Sequence, residues 1–223
     1  MLFFYAAPAT LDLPATRRHG LSGAGGTNLH LHAALADAEA ATDGPVLVVD
    51  ATALSTPLPA PDADVRVASV PPDALQNVDP YRPPAPVTAA GGYVGCPLPN
   101  DVALLLIHRY GVWDLPKGTC EPGEAVDACA AREVREEVGI QQLDVLRALG
   151  PTQHGYSTGD TYAVKTTHWF LMQTPARTFT PQREEDIRRV AWARWDVARA
   201  HMGYETLRRH MDQVKTTVRK SLP

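Results

Sequence analysis

The chain has 223 residues and a formal net charge of −4, and its apolar fraction of 44% is that of a folded globular protein rather than a disordered or fibrous one. This charge argues against a nucleic-acid polymer as a partner, because no overall positive field would hold a polyanion. It remains compatible with a small anionic ligand bound through a metal. The start of the chain lacks the basic region and continuous apolar run of a signal peptide. No stretch approaches the roughly 18 apolar residues needed to cross a bilayer, so we expect a cytoplasmic protein without a membrane partner.

The three cysteines, Cys96, Cys120 and Cys129, are an odd number without Cys-x-x-Cys spacing. Such a set predicts neither a disulfide framework nor a zinc site. It is typical of a protein from a reducing compartment.

The first part of the chain predicts a small α/β unit. Thr27 or Asn28 is placed to cap a helix, which would end at Asp43–Gly44. Short apolar or alternating runs before and after that helix predict strands. The predicted elements are strands at 2–6, 45–50 and 65–70 and a helix at 29–42.

Prolines crowd residues 71–86. Because proline donates no backbone hydrogen bond, this composition is typical of a semi-rigid connector. We therefore place a domain boundary near residue 85, between an N-terminal unit at 1–85 and a second domain at 86–223.

Beyond the boundary, longer apolar runs predict a second α/β domain. Strands with one helix between them and one at the end favour an α/β sandwich. The predicted elements are strands at 89–94, 102–109, 143–149, 162–172 and 187–195 and helices at 125–138 and 204–219.

Three glutamates share one face of the first of these helices, which Gly139 ends as a left-handed stop. At about 100° per residue, Glu136 lies roughly 60° to one side of Glu133 and Glu137 roughly 40° to the other. Like charges about 6 Å apart repel by about 3 kcal/mol per pair at an effective dielectric near 20. The cluster therefore predicts a site for Mg²⁺ or Mn²⁺, which prefer oxygen ligands. An exposed acidic helix face with i,i+4 partners is the alternative.

The residues around these glutamates are more specific. Residues 118–140 match Gly-x5-Glu-x7-Arg-Glu-U-x-Glu-Glu-x-Gly-U at every fixed position, with Val134 and Ile140 at the aliphatic U positions. By this pattern the chain resembles the Nudix hydrolases. The resemblance covers about residues 87–215 and is strongest to bacterial diadenosine polyphosphate hydrolases and their diphosphoinositol polyphosphate relatives. The other similar segments are 89–92, 113–118, 165–172 and 180–192.

The resemblance implies a fold and a set of metal ligands. The fold would be a Nudix-type α/β/α sandwich with a mixed sheet, preceded here by the small α/β unit. Glu136 and Glu137 would bind the metal, and Glu133 would be a further ligand or the general base. The backbone carbonyl of Lys117 would be another ligand.

Supporting roles follow from the same resemblance. Arg132 and Glu124 would orient the loop and the helix of the signature. Some family members take a catalytic acid residue from a later loop, and Glu184 and Glu185 lie in the corresponding region. One of them is therefore a candidate metal ligand or base, and a solvated acidic turn is the alternative.

Four further residues are candidates for substrate binding. Strand alternation puts Lys165 and Trp169 on one face, where they would meet a phosphate and a base, although an edge lysine with a core tryptophan fits equally well. Arg109 is a second phosphate candidate or a surface charge. Tyr156 falls where dinucleoside polyphosphate hydrolases often have an aromatic residue.

The resemblance implies hydrolysis of a pyrophosphate bond in a small-molecule polyphosphate, with water as the attacking group. Dinucleoside polyphosphates or diphosphoinositol polyphosphates are favoured. An ADP-ribose or nucleotide-sugar pyrophosphatase is an alternative, disfavoured because Gly155 and Tyr156 stand where that group has a proline. A non-catalytic Nudix-fold sensor is a third hypothesis, disfavoured because all signature glutamates are present. A homodimer is left open.

Overall fold

The computed structural model describes residues 1–24, 29–55, 65–67 and 69–222. The chain forms two compact units, Met1–Val87 with Gln153–Lys165 and Thr88–Thr152 with Thr166–Pro223. The stretch Gln153–Lys165 of the first unit comes from far beyond the boundary that we predict near residue 85. None of the described helices has both the length and the apolar character needed to cross a membrane.

The first unit contains a four-stranded sheet in the order β3-β1-β2-β4 with antiparallel pairing throughout. Its central strand sends Phe3 into one apolar cluster and Phe4 into another, as period-two alternation requires. The elements are β1 (Leu2–Ala6), β2 (Leu29–His32), β3 (Val46–Asp50), β4 (Val65–Val67), α1 (Leu13–His19) and α2 (Leu35–Ala40).

The predicted helix at 29–42 is wrong in its first half, where β2 lies. Leu31 of this strand is fully buried and pairs with Tyr5 of β1. Because the sheet satisfies the backbone of β2, the alternating Leu-His-Leu-His pattern decides the local structure. The proposed caps Thr27 and Asn28 lie outside the described residues. Helix α1 was not predicted, although Asp12 caps it by accepting the N–H of Ala15 at 3.2 Å.

The larger sheet has the strand order β11-β6-β5-β10-β9, with β7 paired to β6 and β8 paired to β5. The five strands that we predict in this region are confirmed, as are the helices at 125–138 and 204–219. The short helix α4 was not predicted. The elements are β5 (Pro84–Leu98), β6 (Asp101–Arg109), β7 (Val112–Asp114), β8 (Lys117–Thr119), β9 (Asp144–Thr158), β10 (Thr161–Gln173), β11 (Ile187–Arg194), α3 (Val126–Val138), α4 (Trp195–His201) and α5 (Glu205–Ser221).

Alternation along the strands divides the core of the second unit into two layers. Leu104 and Leu106 of β6 pack in the cluster that contains α4 and α5. Leu105 and Ile107 of the same strand pack in the cluster that contains α3. The sheet therefore lies between helices on both faces, which confirms the predicted α/β/α sandwich.

The prediction that the cysteines form no disulfide is wrong. Cys120 and Cys129 are joined by a disulfide, and Cys96 is a free thiol. Cys-x-x-Cys spacing is not required for a bond, because only the distance between the two side chains in the folded chain matters. Here the turn before α3 brings residues nine positions apart to a Cα–Cα distance of 5.3 Å.

A buried histidine in the helical layer predicts a pH effect on stability. The ring of His210 contacts the Tyr93 hydroxyl at 2.8 Å and the Leu149 carbonyl at 3.2 Å. Burial lowers the pKa of His210 from its usual value of 6.5. The unfolded chain therefore binds a proton at a pH where the folded chain does not, and the stability present above pH 6.5 is lost as pH falls below it.

This effect is measurable as the difference in Tm between pH 7.5 and 5.5. We expect that difference to be smaller in His210→Gln, because glutamine cannot titrate. An unchanged pH dependence in the variant would show that other groups cause it.

Candidate active site

The helix α3 presents its glutamates because its other faces are occupied. Ala130, Val134 and Val138 are fully buried against the sheet. At Gly139 the chain leaves the helix with a left-handed φ of 69°, a conformation that glycine adopts without a Cβ clash. The sequence of the helix thus directs its carboxylates towards the strands and loops beside it.

A tight hairpin at the end of β6 positions Arg109, a basic residue that faces these carboxylates. Tyr110 and Gly111 have φ values of 47° and 82° and connect β6 to β7. In the hairpin Arg109 is the partner of Val112, and Ile107 is the partner of Asp114. Two-residue connections with positive φ at both positions match the twist of the strands.

The three glutamates differ in burial. The Glu137 side chain is fully buried and that of Glu133 is 8% exposed, whereas that of Glu136 is 49% exposed. The backbone N–H of Lys117 in β8 donates to Glu137 Oε2 at 2.7 Å. A Cβ atom on Gly118 would lie only 1.8 Å from Glu133 Oε2. The backbone of β8 therefore lies directly against both buried carboxylates.

Arg132 connects the loop before α3 to the glutamates of the helix. It donates to both carboxylate oxygens of Glu124, at 2.9 and 2.8 Å, and to Glu133 Oε1 at 2.8 Å. It also reaches Glu136 at 3.2 Å and the Thr119 carbonyl at 3.3 Å. These bonds from Arg132 hold the pKa of Glu124 at about 2, so the loop carboxylate stays ionised.

Arg109 approaches the site from the sheet. Its Nη1 donates to Glu137 Oε1 at 3.0 Å and lies 3.5 Å from Glu185 Oε2. Its buried Nε has no hydrogen-bond partner among the described residues and lies 3.7 Å from Asp114 Oδ2. The structure therefore brings this candidate phosphate-binding residue to the signature glutamate Glu137, and its ion pairs also include Asp114 and Glu185.

Asp114 is a site residue that sequence reasoning missed. It is fully buried, and its carboxylate pairs with the ammonium group of Lys117 as well as with Arg109. A carboxylate in the apolar run Val-Trp-Asp-Leu-Pro is unusual for a core strand and requires a cationic partner. An acidic residue within an apolar run, with Lys117 three residues later, was the sequence signal that could have identified Asp114.

The electrostatics of the buried carboxylates fit a divalent cation. Burial raises the pKa of Glu137 to about 8, although the charges of Arg109 and Lys117 act in the opposite direction. Burial also raises the pKa of Glu133. A nearby cation would stabilise the charged form of two carboxylates whose pKa values burial has raised, and oxygen donors suit Mg²⁺ or Mn²⁺. The donor set therefore fits the metal that the sequence implies.

The contacts of Glu184 and Glu185, the two candidates in the later loop, distinguish them from each other. Glu185 contacts Arg109, and its charge acts on the pKa values of both Glu133 and Glu137. Glu184 is exposed in the same short helical turn. Glu185 is thus the acidic residue of this turn that lies beside the signature glutamates.

The substrate-binding candidate Trp169 lies in the protein core. It is 2% exposed, packs edge-on against Tyr93, and donates from Nε1 to Thr152 Oγ1 at 2.9 Å. Its indole ring has no open face for a nucleobase, so the core alternative applies and substrate stacking by Trp169 is wrong. Lys165 and Tyr156 belong to the first unit, and their roles in substrate binding stay predictions.

A family model for the NUDIX domain matches residues 91–214, which is more than half of the chain. The chain belongs to the Nudix family. Hydrolases of this family generally use divalent metals and act on small-molecule nucleotides. The match includes α3, β8 and the loop that contains Glu185.

Relatives of this Nudix chain include MutT4 of Mycobacterium tuberculosis, which carries the name of a mutator protein and is 38% identical over 113 residues, 47% of this chain and 45% of the relative. An 8-oxo-(d)GTP phosphatase of Mycolicibacterium smegmatis is 31% identical over 114 residues, 51% of this chain and 33% of the relative. The chain thus spans less than half the length of these relatives. A solved structure of a C. elegans Ap4A hydrolase complex is 20% identical, with a TM-score of 0.48, and covers 59% of this chain and 97% of its own.

Proposed function

We propose that this Nudix chain is a Mg²⁺-dependent hydrolase that cleaves a pyrophosphate bond in a nucleotide or a related small-molecule polyphosphate. The observation that carries the proposal is the packing of the β8 backbone against the buried carboxylates of Glu133 and Glu137. Buried carboxylates destabilise a fold unless a cation or hydrogen bonds compensate their charge. A fold that keeps two carboxylates buried on the helix of the signature therefore supports a metal-binding role.

Mg²⁺, or Mn²⁺ in its place, would be held by the carboxylates of Glu136 and Glu137 and by the backbone carbonyl of Lys117, with Glu133 as a further ligand where it does not act as the base. When bound, the metal supplies Lewis acidity to a phosphate oxygen and lowers the pKa of bound water. The protein residues orient these groups. Arg132 holds Glu133 and Glu136 by hydrogen bonds to one oxygen of each, which leaves the second oxygens free of that arginine.

Proton transfer from the attacking water needs a carboxylate with a suitable pKa. Burial raises the pKa of Glu133, which brings this group closer to the neutral range in which a general base works best. We therefore place Glu133 first as the general base. Glu185 is the alternative, because its charge acts on the same group of carboxylates.

The neighbouring residues Glu184 and Glu185 form a matched pair for testing the later loop. We expect Glu185→Gln to lower kcat/KM by about 10- to 100-fold, as is usual when a residue that orients site groups is lost. Glu184→Gln should change kcat/KM less than twofold, because both glutamates are exposed and it is Glu185 that pairs with Arg109 among the described residues. Steady-state kinetics at saturating Mg²⁺ would measure both values. Equal effects of the two changes would remove Glu185 from the site.

Dinucleoside polyphosphates are the first substrate class that we propose, with diphosphoinositol polyphosphates next. The relative named 8-oxo-(d)GTP phosphatase supports adding oxidised nucleoside triphosphates. ADP-ribose and nucleotide sugars are the alternative class. Arg109 supports a substrate with several phosphates, since a guanidinium beside the metal ligands can pair with a phosphate oxygen.

The test is a phosphate-release screen over these substrate classes with Mg²⁺, and with a chelator as the negative control. We expect turnover of at least one class that stops on chelation. Turnover that survives chelation would contradict the metal site. If no substrate is hydrolysed, the chain is a non-catalytic Nudix-fold sensor, and binding of the same compounds should then be measured.

A further inference from the structure

The disulfide lies inside the signature, between a loop and a helix that both contribute to the site. Cys120 follows β8 directly, and Cys129 is in the first turns of α3. Their Cα atoms are 5.3 Å apart, which is within the usual range for a disulfide. The bond therefore ties the loop after β8 to the helix that presents Glu133.

The two sulfur atoms differ in their surroundings. Cys129 is fully buried, whereas Cys120 is half-buried. Cys129 Sγ also lies 4.0 Å from Nη2 of Arg132. Cys120 is the more exposed of the two residues and is therefore the one that an external thiol would attack, with Cys129 as the leaving group in thiol–disulfide exchange.

The same arginine organises the acidic residues. The guanidinium of Arg132 holds the Thr119 carbonyl, Glu124 and Glu133. Thr119 precedes Cys120, so the disulfide and the Thr119–Arg132 hydrogen bond constrain the same segment of backbone. Without the disulfide, the segment would keep the packing of Cys120, the Thr119–Arg132 bond and the bond from the Cys120 N–H to the Thr88 carbonyl at 3.0 Å. It would lose its one covalent link to α3, and hydrogen bonds are individually weak in water.

We propose that Cys120 and Cys129 are a reversible redox modification site that controls metal binding by the Nudix signature. In the oxidised form the disulfide holds the loop and the helix together, and Mg²⁺ binds tightly. In the reduced form the loop is less constrained, and Mg²⁺ binds more weakly.

The exchange reaction balances with a dithiol as the reductant. A dithiol thiolate attacks Cys120 Sγ, the S–S bond breaks, and its electron pair leaves on Cys129 as a thiolate. The second dithiol sulfur then attacks the mixed disulfide and releases Cys120. The products are a cyclic disulfide, oxidised by two electrons, and two cysteine thiols that have taken up two protons. A low-molecular-weight disulfide reverses the reaction.

The test uses the full chain after treatment with oxidised or reduced dithiothreitol. Alkylation after denaturation, followed by mass spectrometry, should count one thiol, Cys96, in the oxidised protein and all three in the reduced protein. Reduction should lower Tm by about 5 °C or more, because a closed loop restricts the unfolded chain. The Mg²⁺ concentration that gives half of the maximal Tm increase should rise at least threefold on reduction. Cys120→Ser should need the higher Mg²⁺ concentration of the reduced protein after either treatment, with oxidised or with reduced dithiothreitol. Cys96→Ser should behave as the wild type.

The redox proposal rests on the proposed function, and these outcomes distinguish the failure of one from the failure of the other. A redox-dependent Mg²⁺ response supports the site even if no substrate is hydrolysed. Normal hydrolysis with the same Mg²⁺ response in both forms would overturn the site and leave the function intact. Failure of dithiothreitol to reduce the folded protein would also overturn the redox site, because the disulfide would then be a permanent structural bond.

Zinc binding is a further outcome that would overturn the redox site. The ligand atoms of Cys120, Glu124 and Cys129 lie within 4.8 Å of one another. One equivalent of zinc bound by the reduced chain in native mass spectrometry would make the pair a metal site instead. Both oxygens of Glu124 are bonded to Arg132, which argues against this result.

Discussion

Glu136→Gln is expected to lower kcat/KM by on the order of 10²- to 10³-fold while leaving Tm within about 1 °C of the wild type. A metal ligand contributes several kcal/mol to the transition state, and each 1.4 kcal/mol is about a tenfold change in rate. The side chain of Glu136 is 49% exposed, and glutamine has nearly the same size. The substitution therefore removes the charge of the proposed ligand without changing the core.

Glu121→Gln is the matched control for this experiment. Glu121 is an exposed glutamate of the loop before α3, so its substitution removes the same charge outside the proposed metal site and should leave kcat/KM within twofold. Both variants would be assayed over a Mg²⁺ titration, and the Glu136 variant should need more metal for half-maximal rate. Retention of more than a tenth of the wild-type kcat/KM by Glu136→Gln would argue against its role as a ligand.

Gly118→Ala is expected to lower kcat/KM by about 100-fold or more, although it adds only one methyl group. The added Cβ would lie 1.8 Å from Oε2 of Glu133 and 2.1 Å from its carboxyl carbon. No real contact is this short, so the carboxylate must leave its position. Loss of a correctly placed general base typically costs 10²- to 10⁴-fold in rate.

A double-mutant cycle shows whether this loss acts through Glu133. If it does, Gly118→Ala should have little further effect in the Glu133→Ala background, because the displaced carboxylate is already absent. Steady-state kcat/KM of the four proteins gives the coupling, and Tm checks that each is folded. Additive losses in the double variant would mean that Gly118 matters for another reason.

The part of the site that lies within one helix could be predicted from the residues alone. The spacing of Glu133, Glu136 and Glu137 determines their shared face, because helical geometry is local. In the same way, the apolar run at 102–109 predicts a strand. The roles of these glutamates in binding metal remain predictions that the substitutions above would test.

Contacts between distant segments were not predictable in this way. The pairing of Arg109 with Glu137 and Glu185 depends on the β6–β7 hairpin and on the loop before β11. Strand alternation placed Lys165 and Trp169 on one face, yet only the layer of α4 and α5 shows that Trp169 faces the core. The helical interpretation of residues 29–42 was wrong for the same reason, since pairing with β1 decides the structure of β2.

The sequence by itself determined the family pattern, the acidic face of α3 and the two-faced strands, because each depends on the periodicity of a single element. Only the tertiary structure decided that Glu133 and Glu137 are buried while Glu136 is exposed, and that Asp114 lies beneath Lys117 and Arg109. It also decided that Cys120 and Cys129 are bonded. Burial, charge pairing and disulfide formation depend on distances across the folded chain, and spacing along the sequence does not specify those distances.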